Sequence, residues 1–121
     1  MKKWILLIAL LVAQGAHAGY YNYMSGNELL TACSVDPWDP ASKLELVRIS
    51  KCTGYVTGIT DAYNVFHNWN FIEPMWCMPN EVSIDQLKKL VLKYLKENPQ
   101  AIHMGASSLV VNAVVLAFPC E

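Results

Sequence analysis

Cys33, Cys52, Cys77 and Cys120 constrain this chain more than any other set of residues. They are even in number and far apart, and no two form the Cys-x-x-Cys spacing of a zinc or redox motif. Their meaning depends on the compartment. Lys2 and Lys3, the apolar residues 4–13 and Ala16-His17-Ala18 supply the three parts of a secretory signal peptide, cut after Ala18. The apolar run falls short of the roughly 20 residues that span a bilayer, so no stable membrane insertion is expected after processing. The lysine-led n-region is bacterial in style and points to the periplasm. In such an oxidising compartment, four spaced cysteines in a small chain read as two disulfides. Each would stabilise the fold by about 2–4 kcal/mol.

Residues 19–121 are expected to form a single domain. Seven basic residues against ten acidic ones give the mature chain a formal charge of about −3. No basic patch stands out, so nucleic acid is not expected as a partner.

The local patterns are helical throughout, predicting an all-α, disulfide-stapled bundle of about four helices. Ser25-Gly26-Asn27-Glu28 has the form of a capping box, with Met24 and Leu29 placed for a hydrophobic staple. Ser42-Lys43-Leu44-Glu45 is a second such box and Ser83-Ile84-Asp85-Gln86 a third, stapled by Val82 and Leu87. Asn98-Pro99 reads as a fourth start, a cap followed by proline at the first helical position.

The first helix should end near Cys33. The second is long, with an apolar side at Leu44, Val47, Cys52, Tyr55, Ile59, Ala62, Tyr63 and Phe66. Gly54 and Gly58 lie four apart on one face of it. They suggest that another backbone comes close there, with a bend or a ligand as the alternative. The third helix, 84 to about 97, buries Ile84, Leu87, Leu90, Val91, Tyr94 and Leu95 and turns Lys88, Lys89, Lys93 and Lys96 to solvent. The fourth, roughly 100–118, is apolar on most sides, which places it centrally or against a second protein.

The tight turn at 97–99 makes the last two helices antiparallel neighbours and brings Cys120 toward Cys77. Cys33 would then pair with Cys52, although pairing of Cys33 with Cys120 and Cys52 with Cys77 satisfies the same sequence.

Catalytic signals are weak. His67 and His103 have no sequence-near carboxylate that marks a catalytic pair, Asp61 and Glu73 lack a specific spacing, and oxidised cysteines are not nucleophiles. Gly54-x-x-x-Gly58 lacks the Gly-Lys-Ser/Thr of a phosphate loop. No metal or cofactor is expected, and no enzyme. The best candidate for partner binding is the segment 67–79. It holds His67, Trp69, Phe71, Glu73, Met75 and Trp76 between prolines and a cysteine, with Trp38 of the earlier loop as a further candidate. Aromatic side chains concentrate at interface hot spots. The same side chains would equally serve to cap the helical core.

In order, Leu29-Leu30 before Cys33, then Cys52-Thr53-Gly54-Tyr55, Gly58-Ile59 and Asp61-Ala62, followed by Cys77-Met78-Pro79, Gln86-Leu87, Tyr94-Leu95 and Ala117-Phe118-Pro119-Cys120, resemble the Rap/Tai immunity family. The resemblance spans about residues 25–120. It implies a periplasmic, mostly helical protein that binds and inhibits a secreted cell-wall hydrolase, in this family a peptidoglycan amidase effector of type VI secretion. It also implies homodimers in some members. The matched residues are scaffold, so the resemblance assigns no effector contact. A periplasmic binding or chaperone-like protein without a toxin partner is the alternative.

Overall fold

Three of the four helices start at a serine whose side chain caps the first turn. A computed structural model describes residues 21–121. It shows α1 (Gly26–Cys33), α2 (Lys43–Asn68), α3 (Ile84–Glu97) and α4 (Ala106–Ala117), each of which touches the other three. The signal-peptide reading falls on residues 1–18, outside the described residues. Among those described, no helix is long and apolar enough to cross a membrane.

The capping boxes of α1 and α3 close in both directions. Ser25 Oγ accepts from the Glu28 N–H while Glu28 Oε2 accepts from the Ser25 N–H at 2.8 Å. Ser83 and Gln86 do the same, with Gln86 Oε1 2.8 Å from the Ser83 nitrogen. These bonds occupy amide donors that have no partner inside the helix. Those to Ser25, together with the Lys51 charge, hold the Glu28 carboxyl below its ordinary 4.5. The expected box of α2 is only half made. Ser42 Oγ accepts from the Glu45 N–H, but Glu45 Oε2 reaches the Ala41 N–H instead.

The fourth helix begins later than its Asn98-Pro99 signal suggests. Residues 99–104 are turns, with Asn98 and Ala101 carbonyls accepting from the Ala101 and Met104 N–H groups. Gly105 is the N-cap. The reason lies in α1. Its first free donors, Gly26 N–H and Asn27 N–H, bond to the Met104 and Ile102 carbonyls, each at 2.8 Å, and Ala106 N–H returns to Met24 O. Bonding to α1 across the domain takes carbonyls that a longer α4 would have used itself. A Cβ on Gly26 would run into Leu109 Cδ1 and lie 2.6 Å from Ile102 O, so this close seam requires glycine. His103 therefore sits exposed in the connector.

The core is formed from all four helices. Leu29, Val56, Val91, Leu95, Leu109, Val110 and Val114 are fully buried. The α4 stripe of Ala106, Leu109, Val110, Ala113 and Val114 makes that helix central, leaving Leu116 as its large exposed side chain. Two disulfides staple the bundle, Cys33–Cys52 between α1 and α2 and Cys77–Cys120 between the segment after α2 and the C-terminal tail.

The sequence pattern misplaces part of α2. Its buried line is Cys52, Val56, Thr60 and Tyr63. Leu44, Val47, Ala62 and Phe66, expected inside, are exposed. Gly54 and Gly58 are also outside, and nothing lies within 4 Å of where a Cβ would stand on either. The close backbone expected there does not come from the described chain. Each glycine still costs the helix about 0.5–1 kcal/mol relative to alanine. On α3 one lysine departs from the expected solvated row. Lys88 is mostly buried and bridges Asp85 Oδ1 at 3.0 Å and Thr53 Oγ1 of α2 at 3.2 Å.

A candidate partner-binding surface

The end of α2 builds an exposed cluster of three aromatic rings. Trp69 is the C-cap, and Asn70 follows with φ 57°, in the left-handed region that asparagine tolerates better than most residues. The Phe71 N–H then donates to Phe66 O and the Asn70 N–H to His67 O, both at 2.9 Å. This is a Schellman stop, and the apolar contact that usually accompanies it is present between Phe66 and Phe71, with ring centroids 6.4 Å apart. Trp69 meets Phe71 edge to face at 5.8 Å. The three rings stabilise one another, yet Phe66 is 48%, Trp69 64% and Phe71 67% exposed. Met75 is exposed beside them in sequence, and Glu73 is exposed as well.

The following residues hold this segment in place. Tyr63 is buried, and its hydroxyl accepts from the Met75 N–H at 2.7 Å and the Trp76 N–H at 3.4 Å. Trp76 lies against the Tyr63 ring, with centroids 3.7 Å apart, and is only 5% exposed. Its ring is therefore part of the core and is not offered to a partner. The Cys77 N–H donates to Phe118 O at 2.8 Å next to the Cys77–Cys120 disulfide. His67 stacks on Tyr63 at 6.0 Å, and its Nδ1 is buried without a hydrogen-bond partner among the described residues. His67 thus belongs to the packing beneath the cluster. Such anchoring lowers the entropy cost of binding, because the contact rings are ordered beforehand.

Trp38 is separate from this cluster. It is 85% exposed in the loop leading into α2, where its N–H donates to Asp36 Oδ1 at 2.9 Å. Twenty-six residues of helix, about 39 Å at the usual rise, separate the two ends of α2. Trp38 overlooks a cavity of about 370 Å³ whose lining includes Ile49, Leu92, Lys89 and the Cys33–Cys52 disulfide. The sequence-predicted candidates thus divide into two exposed regions, the buried Trp76 and the half-buried His67. Phe66 was missing from that set because its helical spacing read as core. Asn70, a common helix stop, was the available signal that the chain turns there.

Among the described residues, no group of three or more His, Cys, Asp or Glu side chains is placed to hold a metal. His103, Asp61 and Glu73 are exposed. The arrangement offers apolar contact area on a rigid support, which suits recognition of another macromolecule. A family model described as Rap1a immunity proteins matches residues 25–120. No curated protein matches the chain.

Proposed function

Because the chain belongs to the Rap1a immunity-protein family, and is accordingly a binding protein rather than an enzyme, we propose that it neutralises a peptidoglycan amidase effector of type VI secretion in the periplasm. The observation that carries the surface assignment is the Phe66–Trp69–Phe71 cluster. A wall-cutting enzyme must keep a cleft open to a polymeric substrate, and a rigid aromatic projection fits such a cleft and excludes water and substrate from it. Tyr63 and the Cys77–Cys120 bridge hold the projection, while Glu73 supplies a carboxylate near its edge in sequence. The two disulfides suit an oxidising compartment. The signal-peptide pattern of residues 1–18 supplies the route.

The test has two arms. Cells that direct the effector to their own periplasm should survive when the full chain is present and die when its first 18 residues are deleted. With purified components, the mature protein should inhibit the amidase. Replacing Trp69 and Phe71 together by alanine should weaken binding by about 100-fold or more, with helix content unchanged. Failure to bind any cell-wall hydrolase made by the same cell would overturn the reading. Binding to many unfolded chains in place of one hydrolase would replace it with a chaperone-like role.

A further inference from the structure

The cavity beside Trp38 takes no part in the effector reading, which uses the opposite end of α2. Its volume of about 370 Å³ stands toward the lower end of small-molecule sites, roughly 300–1,000 Å³. Three helices and a loop supply its walls. Lys88, Lys89 and Leu92 share one face of α3, three and four residues apart. Ile49 belongs to α2, and the Cys33–Cys52 bridge joins α1 to α2 within the lining. Burial sets the depth of each part. Both cysteines are buried, Ile49 and Leu92 are half-buried, and Trp38 stands exposed at the rim.

Four charged side chains line this space, and three are already engaged. Asp85 is paired with Lys88, whose ammonium also reaches Thr53 Oγ1. Asp36 Oδ1 accepts from the Trp38 N–H and so shapes the loop. Lys89 has no ion-pair or hydrogen-bond partner among the described residues. The cavity thus offers an apolar wall, an indole face and one cation without a partner. Pro37 and Pro40 flank Trp38 and stiffen its loop, which lowers the cost of ordering the ring against a ligand.

We propose that this cavity binds a small amphipathic carboxylate. Its apolar body lies on Ile49 and Leu92 beside the Trp38 ring, and its carboxylate meets the Lys89 ammonium. Such a ligand covers the exposed indole and gives Lys89 the partner that the chain does not provide. The site is independent of the effector, so its test needs none.

The oxidised protein, processed from the full exported chain, is titrated by calorimetry with three probes of one ring: indolepropionate, tryptamine and skatole. The acid should bind with a Kd of about 0.1–1 mM, as its size allows. It should bind about 5-fold tighter than the amine or the neutral compound. Lys89→Gln should abolish that preference and leave skatole unaffected. Trp38→Ala should weaken all three about 5-fold, and Ile49→Phe, which fills the space, should weaken them as well. Lys89 and Trp38 are exposed, so urea midpoints of their variants should match the parent. Bound acid should also slow reduction of Cys33–Cys52 by a small thiol, while Cys77–Cys120, outside the lining, reacts as before. Four results would overturn the proposal: no binding of the acid at about 10 mM, equal binding of all three probes, a preference that survives Lys89→Gln, or equal slowing of both bridges.

Discussion

Helices α2 and α3 both start at a serine and both bury one face against α1 and α4, but their outer faces differ. On α3 the outer face is polar and charged, with Lys93 paired to Glu97 at 2.7 Å, while Lys88 leaves that face for Asp85 and Thr53 of α2. On α2 it carries Leu44, Val47, two glycines, Val65 and Phe66 in the open. The first pattern is what solubility asks of an amphipathic helix. The second leaves apolar and small residues that the monomer does not need. Apolar surface that folding leaves uncovered is where interactions with other chains are to be sought, and a large share of it lies on α2 and its C-terminal stop, with Tyr21, Tyr23, Trp38 and Leu116 exposed elsewhere.

The sharpest way to break this comparison is to truncate an apolar residue on each side of it. Leu95→Ala, on the buried face of α3, should cost about 2–5 kcal/mol. Val47→Ala, on the outer face of α2, should lie within about 0.5 kcal/mol of the parent when the protein is dilute. Urea denaturation of the oxidised protein measures both, and similar losses would mean that the outer face of α2 is already covered in the monomer. Glycines give the next largest contrast. Gly26→Ala should destabilise by about 1–3 kcal/mol because its Cβ enters the seam with Ile102 and Leu109. Gly58→Ala, in open space, should stabilise the dilute monomer by about 0.5–1 kcal/mol. A loss at Gly58 in a dilute sample would remove the distinction.

Caps provide a smaller effect. Ser83→Ala breaks a box closed in both directions and should cost about 1 kcal/mol, whereas Ser42→Ala breaks a half-made one and should cost about 0.5 kcal/mol. Thermal melts of the two variants should rank in that order. The smallest effect is a pH dependence. The box of α1 uses Glu28, while that of α3 uses Gln86, which does not titrate. Bonding to Ser25 lowers the folded pKa of Glu28 below 4.5, so its contribution is present above that pH and is lost as the pH falls through the folded value. Denaturation midpoints between about pH 5 and 3 should fall less in Glu28→Gln than in the parent, and identical slopes would deny Glu28 that role.

Local chemistry made most of the fold legible. Ser25, Ser42 and Ser83 mark three helix starts because capping is a matter of neighbouring residues. The four-cysteine pattern and the expected antiparallel pairing of the last two helices pointed to the observed disulfides, with one rival pairing that only the packing excludes. The start of α4 was not legible. Asn98-Pro99 is a sound local signal, but the carbonyls that follow are taken by α1 across the domain, and no window of sequence contains both partners. The exposure of Phe66 and Val47 was hidden for a related reason. Spacing shows which residues share a face but not how much of a 26-residue helix its neighbours can cover. Of the candidate surface, Trp69, Phe71 and Met75 were visible as costly aromatic and apolar residues in a loop. That Trp76 and His67 turn inward follows from Tyr63, whose role as an anchor has no sequence signature.

The pairing of the cysteines also bears on how the domain is made. Cys33 joins Cys52 and Cys77 joins Cys120, so the bridges follow one another along the chain and do not interleave. A polypeptide that crosses a membrane with its N-terminus leading delivers its thiols in that same order. An oxidant that simply joins each thiol to the next to arrive therefore produces both native bridges. Maturation of this domain should need an oxidase but no isomerase to reshuffle mispaired cysteines.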